Sequence, residues 1–125
     1  MEFKLRFGEV LNLNYTLKEI IDTENYVDAL FKFKLLGIMK SIKLFVDNFE
    51  EIRNGKIREY GKKTDDGNFS ISLENKEALE KFNNEIDSVI NSEVTLNIEK
   101  LKVEEVFNKG VPADYLVGLF PIIEQ

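Results

Sequence analysis

The residues from Ala29 to Ile52 read ALFKFKLLGIMKSIKLFVDNFEEI, and their apolar side chains recur with the spacing of an α-helix. Seven large apolar side chains follow one another at alternating intervals of four and three residues: Phe31, Leu35, Ile38, Ile42, Phe45, Phe49 and Ile52. This heptad spacing places all seven on one stripe of a helix, which we call the first seam. We expect the rest of the chain to cover it.

The helix that carries the first seam is predicted from about residue 24 to residue 61. Asp22, Thr23 or Asn25 is expected to cap its start, and Gly61 is a natural stop. Such a helix is roughly 55 Å long, more than a compact domain of this size needs. We therefore expect it to overhang or bend, with Asn54-Gly55 as the weak point because glycine costs about 1 kcal/mol inside a helix.

A second seam follows at the same period, which is typical of a second long helix. It consists of Leu79, Phe82, Ile86 and Val89, and Asn75 is placed to cap the helix that carries it. The segment Thr64-Asp-Asp-Gly-Asn68 between the two helices is a turn signal. An antiparallel hairpin of the two helices would bury both seams, and this is the central prediction for the fold.

Alternating residues predict a small sheet beside the hairpin. Residues 2–13 are predicted to be extended, possibly as two short strands, and residues 94–98 form the clearest strand pattern, so the two segments are expected to pair. Leu101 and Val103 either extend that strand or form another. The spacing of Thr16 and Glu19 is typical of a capping box that opens a short helix, and residues 112–120 predict a short terminal helix.

Together these patterns predict a single α+β domain over residues 1–125: a long antiparallel helical hairpin with a small antiparallel β-sheet at one end and a short C-terminal helix. Apolar residues make up 43% and charged residues 32%, as in globular proteins. The longest apolar run is far below the ~20 residues of a membrane span. The first residues lack the apolar core of a signal peptide. These features predict a cytoplasmic protein without membrane contact.

The chain contains no cysteine and no histidine. Disulfides, thiolate nucleophiles and histidine-based catalytic or metal sites are therefore excluded. An oxygen-only Mg²⁺ or Ca²⁺ site remains open, but the acidic turn fails the calcium-loop pattern, because Lys62 and Leu73 stand where carboxylates are required. We expect no cofactor and no enzymatic activity.

Charge is unevenly distributed along the chain. Residues 31–63 carry nine Lys/Arg against four Asp/Glu, whereas residues 64–107 carry four Lys against eleven Asp/Glu. The simpler interpretation is that two neighbouring elements of opposite sign attract each other; the alternative is that one of them docks a charged partner. The candidate partner-binding residues are Arg53, Lys56, Arg58, Lys62, Asp65, Asp66, Glu74, Glu77 and Glu80. Nucleic-acid binding through the basic residues is disfavoured, since the whole chain carries a net charge of −6.

Several short elements resemble a family of small phage and prophage proteins of unknown function. They are Glu59-Tyr-Gly61, Asp66-Gly67, Phe82-Asn-Asn-Glu85, the strand Glu93-Val-Thr-Leu-Asn-Ile98 and the ending Leu119-Phe-Pro-Ile122, within residues 17–123. Glu59 departs from the lysine typical of the family's first element. The resemblance implies a phage gene product that acts in the cytoplasm of an infected bacterium, and it transfers no site residues.

Three functions follow as hypotheses. The first is a non-enzymatic phage or prophage accessory protein that binds, and possibly inhibits, a host or anti-phage defence protein, for example of the CRISPR type. The second is a virion or tail-assembly component in which the first seam helps to build a homo-oligomer. The third is a nucleic-acid-binding helper that uses residues 53–63.

Overall fold

The computed structural model describes residues 2–23 and 27–124 and has the α+β architecture that the patterns predict. Its elements in chain order are β1 (Glu2–Arg6), α1 (Phe7–Thr23), α2 (Ala29–Tyr60), β2 (Lys62–Lys63), β3 (Phe69–Ser70), α3 (Lys76–Ile90), β4 (Glu93–Asn97), α4 (Val103–Asn108) and α5 (Leu116–Leu119). Short 3₁₀ turns flank α5 at Ala113–Tyr115 and Phe120–Ile122. Within the described residues, no helix combines the length and the apolar character needed to cross a membrane.

The first seam is the buried face of α2 over most of its length. Phe31, Leu35, Ile38, Ile42 and Phe49 are buried, and Phe45 is half-buried. The prediction is wrong at Ile52, whose exposure is 45%. The core therefore ends near Phe49, and the last turns of α2 extend beyond it. This is the overhang that the length of the helix predicts.

The start of α2 differs from the prediction. Asp28 caps the helix by accepting a hydrogen bond from the Phe31 amide at 3.1 Å. Asp22 and Thr23, two of the predicted caps, are the last residues of α1. The third, Asn25, and the predicted start at residue 24 lie outside the described residues. Asp28 is favoured because its own amide is also held, by the Lys109 carbonyl at 3.0 Å.

At the far end of α2 the predicted stop at Gly61 is confirmed. The expected weak point at Asn54-Gly55 does not interrupt the helix, which continues to Tyr60. A Cβ at Gly61 would lie only 2.6 Å from the Ser70 carbonyl oxygen, so any side chain would collide with the backbone of β3. The φ of Gly61 is −98°, a value that any residue adopts, so backbone conformation does not require glycine here. The close approach to Ser70 does.

The predicted extended segment 2–13 is half wrong. Residues 2–6 form β1, but a helix begins at Phe7 and continues through the predicted capping box to Thr23. Val10, Leu13, Leu17 and Ile20 are buried at helical spacing and cover the first seam. Glu9 accepts a hydrogen bond from the Arg6 amide at 3.1 Å, which satisfies a free donor at the start of this helix.

The predicted sheet is present with a shorter first strand. β1 and β4 pair antiparallel, with Phe3 opposite Leu96 and Leu5 opposite Val94. Leu5 and Leu96 face the core, while Lys4 and Thr95 point to the other, exposed side. The alternation of apolar and polar residues thus sets the register.

The hairpin of α2 and α3 also forms, although α1 covers more of α2 than α3 does. Asn75 caps α3 as predicted, accepting a hydrogen bond from the Ala78 amide at 3.2 Å. Glu85 contacts Lys56, whereas the residues just after α3 approach Phe49 through Phe7, so the two helices run antiparallel. Of the second seam, Ile86 is buried and the rest is half-buried.

The C-terminal segment closes the other end of the core. Leu101 forms an isolated parallel bridge with Ile123, and Val103 begins α4. Both alternatives predicted for these residues are therefore wrong, since they neither extend β4 nor form a further strand. The predicted terminal helix is divided into α5 and the two 3₁₀ turns. It packs on α1 so closely that a Cβ at Gly118 would overlap the side chain of Thr16.

Candidate functional site: the distal end of the hairpin

The nine candidate partner-binding residues all lie in residues 50–80, which we call the distal end. It comprises the last turns of α2, the β2–β3 hairpin and the first turn of α3. Arg53, Arg58, Lys62, Asp65, Glu74 and Glu80 are exposed there. Because the core ends near Phe49 and Ile86, the distal end is a projection from it.

The shape of the distal end is set by the tight turn between β2 and β3. Asp66 accepts hydrogen bonds from the Thr64 hydroxyl, from the Asn68 amide at 3.1 Å and from the Asn68 side chain at 3.2 Å. These bonds, with that from Thr64 as the largest cause, lower the pKa of Asp66 below its ordinary value. Gly67 has a φ of 87°, which glycine adopts without strain. Asp66 is therefore engaged in the turn and is a poor candidate for a partner contact.

Lys56 joins α2 to α3. Its Nζ lies 2.8 Å from Glu59 Oε2 on its own helix and 3.3 Å from Glu85 Oε1 on α3. The hydrogen bond to Glu59, followed by that to Glu85, raises the pKa of Lys56. Lys56 is thus committed to an internal pair, as the simpler interpretation of the charge pattern requires.

Glu85 and Tyr60 complete this cluster. The neighbouring Tyr60 hydroxyl is the largest cause that lowers the pKa of Glu85, and Glu85 in turn raises the pKa of Tyr60. Glu85 Oε2 is buried and has no hydrogen bond of normal geometry within residues 2–23 and 27–124. Sequence reasoning missed Glu85; the signal was its position beside the second seam, three residues after Phe82.

Six of the nine candidates have uncommitted side chains. Glu77 is not one of them, since it pairs with Lys81 at 3.2 Å along α3, an exposed pair that contributes little. Across the described part of the chain, no ion pair or hydrogen bond engages the side chains of the other six: Arg53, Arg58, Lys62, Asp65, Glu74 and Glu80.

Two open grooves bring some of these charges together. One, of about 510 Å³, is lined by residues between the end of α2 and the cap of α3, among them Lys62, Lys63 and Glu74. The second, of about 390 Å³, has Arg58 beside Phe69 and Asn68. The two charge signs that are separate in sequence are therefore mixed at the distal end, whereas Arg53, Glu77 and Glu80 line neither groove.

The side chains of the distal end are of the kinds that bind another macromolecule. Within residues 2–23 and 27–124, no group of three or more Asp, Glu, His or Cys side chains is arranged to hold a metal ion. What it presents are cations and carboxylates beside small polar groups such as Thr64 and Ser72. Such a surface can form charge-assisted hydrogen bonds to another macromolecule.

Comparison of the chain with protein-family models, with curated proteins and with solved structures finds no significant match.

Proposed function

We propose that this protein is a non-enzymatic binding protein of phage or prophage origin, and that its distal end docks a charged surface of a host or anti-phage defence protein. One observation carries the proposal. The last three turns of α2 project beyond the core, yet the helix stays regular there and presents Arg53, Arg58 and the neighbouring Lys62 without internal partners among the described residues.

Three contacts hold the projection in shape. Lys56 pairs with Glu85 on α3, Gly61 packs against Ser70, and Asp66 accepts hydrogen bonds within the turn. A projection that is held before binding loses less conformational entropy on binding, which favours affinity. Its mixed charges favour a partner surface of matching pattern and give a salt-dependent association rate.

The test is affinity capture from infected and from uninfected host lysate, read by mass spectrometry. The double variant Arg58→Glu/Lys62→Glu reverses two uncommitted charges of the distal end. The matched control, Lys4→Glu/Lys18→Glu, makes the same change at two exposed lysines outside it. The proposal is supported if the wild type and the control both capture one host protein at a constant molar ratio to the bait, and the distal variant does not capture it.

The other outcomes contradict it. Equal capture by all three proteins would remove the distal end from the interface. Recovery of phage structural proteins in place of a host protein would assign the chain to virion or tail assembly. A gel shift of nucleic acid that disappears when Arg53, Lys56, Arg58 and Lys62 are changed to Glu would assign it to the nucleic-acid hypothesis.

A further inference from the structure

The dipeptide Asn54-Gly55, which the sequence marks as the weak point of α2, lies in the exposed part of that helix. Both residues are exposed, and a Cβ at Gly55 would meet no atom within 4 Å. They lie beyond Phe49, where the core ends. Solvent therefore reaches the Asn54 side chain and the peptide bond that follows it.

An asparagine that is followed by glycine is prone to deamidation. The reaction begins when the amide nitrogen of the next residue attacks the carbonyl carbon of the asparagine side chain, and glycine has no side chain to obstruct this attack. Asparagine is for this kind of reason among the thermolabile residues. Asn54 is the only asparagine in the sequence that a glycine follows.

The helix itself restrains this reaction. In an α-helix the Gly55 amide donates a hydrogen bond to the carbonyl of Glu51, one turn earlier. The helical backbone also keeps the Asn54 Cγ atom away from the Gly55 nitrogen. The attack therefore requires the last turns of α2 to open locally.

The last turns of α2 are suited to local opening. Ile52 is 45% exposed, and Gly55 weakens the interior of the helix. The ion pair of Lys56 with Glu85, which joins these turns to α3, is formed by partly exposed side chains. Segments with few buried apolar contacts and with exposed backbone hydrogen bonds open at a lower free energy than the core does.

We propose that Asn54 is a site of spontaneous deamidation, and that local opening of the last turns of α2 controls its rate. In the open state a bond forms between the Gly55 nitrogen and the Asn54 Cγ atom, and the bond between Cγ and Nδ2 breaks. The Gly55 amide proton passes to solvent, and the released nitrogen takes up a proton and leaves as ammonia. Water then hydrolyses the cyclic imide at either of its carbonyl carbons, which gives aspartate or isoaspartate.

Each product changes the distal end. Aspartate at position 54 lies one helical turn before Arg58 and pairs with it, so that it engages one of the uncommitted cations. Isoaspartate passes the main chain through the side-chain carbon, which lengthens the backbone and interrupts the helix. Lys56 and Gly61, two of the residues that hold the projection in shape, follow this interruption.

Asn91 provides a comparison within the same molecule, because it is exposed and precedes the small residue Ser92. The Ser92 amide donates to the Val89 carbonyl at 3.1 Å, and the Ser92 carbonyl accepts from the Phe7 amide at 2.8 Å. This turn is therefore held between α3 and the sheet, and the serine side chain obstructs the attack. Asn91 should deamidate more slowly than Asn54.

The test incubates the folded protein in mildly alkaline buffer and follows deamidation by mass spectrometry. Cleavage after glutamate releases residues 52–59, which contain Asn54, and residues 86–93, which contain Asn91. The mass increase of deamidation should appear first in the peptide of Asn54, with aspartate and isoaspartate separated by chromatography. Faster deamidation at Asn91, or its absence at Asn54 in the folded protein, would overturn the proposal.

The variant Gly55→Ala tests the attacking group. The added methyl group lies in open space in the closed helix, obstructs the attack and strengthens the helix. The rate at Asn54 should fall by about fivefold or more through helix stability alone, and the rate at Asn91 should not change. An unchanged rate at Asn54 would contradict the role of the Gly55 nitrogen.

The variant Glu85→Gln tests the control by local opening. It weakens the contact with Lys56 and leaves residues 52–59 intact, so deamidation at Asn54 should become faster. Glu80→Gln is the matched control, because it makes the same change elsewhere on α3 and should leave the rate as in the wild type. Circular dichroism verifies that each variant is folded. Equal rates in Glu85→Gln and the wild type would overturn the control by local opening.

The modification does not rest on the proposed function, since the mass measurement needs no partner. Its effect on binding does rest on that function. The isoaspartate form, separated by chromatography, should no longer capture the host protein that the unmodified form retains. Capture by both forms would overturn the effect on binding and leave the modification site in place.

Discussion

Phe7 and Phe49 pack with their ring centroids 5.1 Å apart and their planes at 48°. Phe7 is the first residue of α1, and its amide donates to the Ser92 carbonyl at 2.8 Å just before β4. Phe49 is the last buried residue of the first seam. This pair therefore joins the sheet to α2 at the point where the core ends.

Replacing Phe49 with alanine should destabilise the protein by about 3–5 kcal/mol, because the change leaves a cavity beside Phe7. Urea unfolding followed by circular dichroism measures the loss. Phe120→Ala serves as the control, since Phe120 is 60% exposed and its loss should cost far less. Similar costs for the two variants would show that Phe49 is not a core residue.

Gly118→Ala should cost about 1–3 kcal/mol in the free energy of unfolding, because the new methyl group meets the Thr16 side chain. The companion variant Gly55→Ala adds the same methyl group where nothing lies within 4 Å, and it should stabilise the helix by about 0.5–1 kcal/mol. Shortening Thr16 to alanine in the Gly118→Ala background should restore part of the loss. An absence of coupling between positions 16 and 118 would contradict the contact.

Asp28→Ala should lower the free energy of unfolding by about 0.5–2 kcal/mol, the usual cost of losing a helix cap. Asp28→Asn keeps an acceptor for the Phe31 amide and should recover most of the loss. The sequence pattern offered Asp22 as one of three possible caps, so Asp22→Ala is the informative control: it should change stability by less than about 0.5 kcal/mol. A larger effect at Asp22 than at Asp28 would reverse the assignment.

Glu85 should contribute to the pH dependence of stability at both limits. Its pKa in the folded protein is lowered, so its contribution is present above its ordinary pKa of 4.5 and is lost as the pH falls through the lower folded value. The pKa of Lys56 is raised, so the stabilisation that Lys56 gains from its partners is present below its ordinary value of 10.5 and is lost as the pH rises through the higher folded value.

Glu85→Gln should therefore flatten the profile of unfolding midpoint against pH in both acid and alkali. The effect should be small, since both side chains are partly exposed and solvent screens the pair. Glu80→Gln is the control, because Glu80 has no ion pair among the described residues. Parallel profiles for Glu85→Gln and the wild type would contradict the coupling.

The parts of the fold that follow from one repeating spacing of apolar residues, or from one special residue, were predictable from the sequence. The first seam, the Asn75 cap, the stop at Gly61 and the pairing of residues near 3 and 96 all depend on local spacing or on one special residue. The helix at residues 7–13 was not, because Leu11 and Leu13 alternate like a strand while Val10, Leu13 and Leu17 also fit a helix. Burial against α2 decides between the two patterns, and that is tertiary information.

The charge pattern was enough to predict where the candidate residues lie, but it did not predict which of their side chains are paired. The charge pattern identified the distal end, but it treated Lys56, Asp66 and Glu77 as available, and each has a partner within the chain. Only the contact of Lys56 with Glu85 depends on the distance between two helices, which spacing alone does not supply. The pair of Glu77 with Lys81 is local, and its i, i+4 spacing on a predicted helix was a signal that sequence reasoning missed.

The pairing of β1 with β4 has a consequence for how the protein is made. Residues 2–6 leave the ribosome before their partners at 93–97, which follow about 90 residues later, a delay of roughly 5–20 s at bacterial rates of synthesis. Contacts so distant in sequence form late in folding, because a long loop must close first. We therefore expect the nascent chain to form its α2–α3 hairpin early and to hold Phe3 and Leu5 unpaired until β4 emerges.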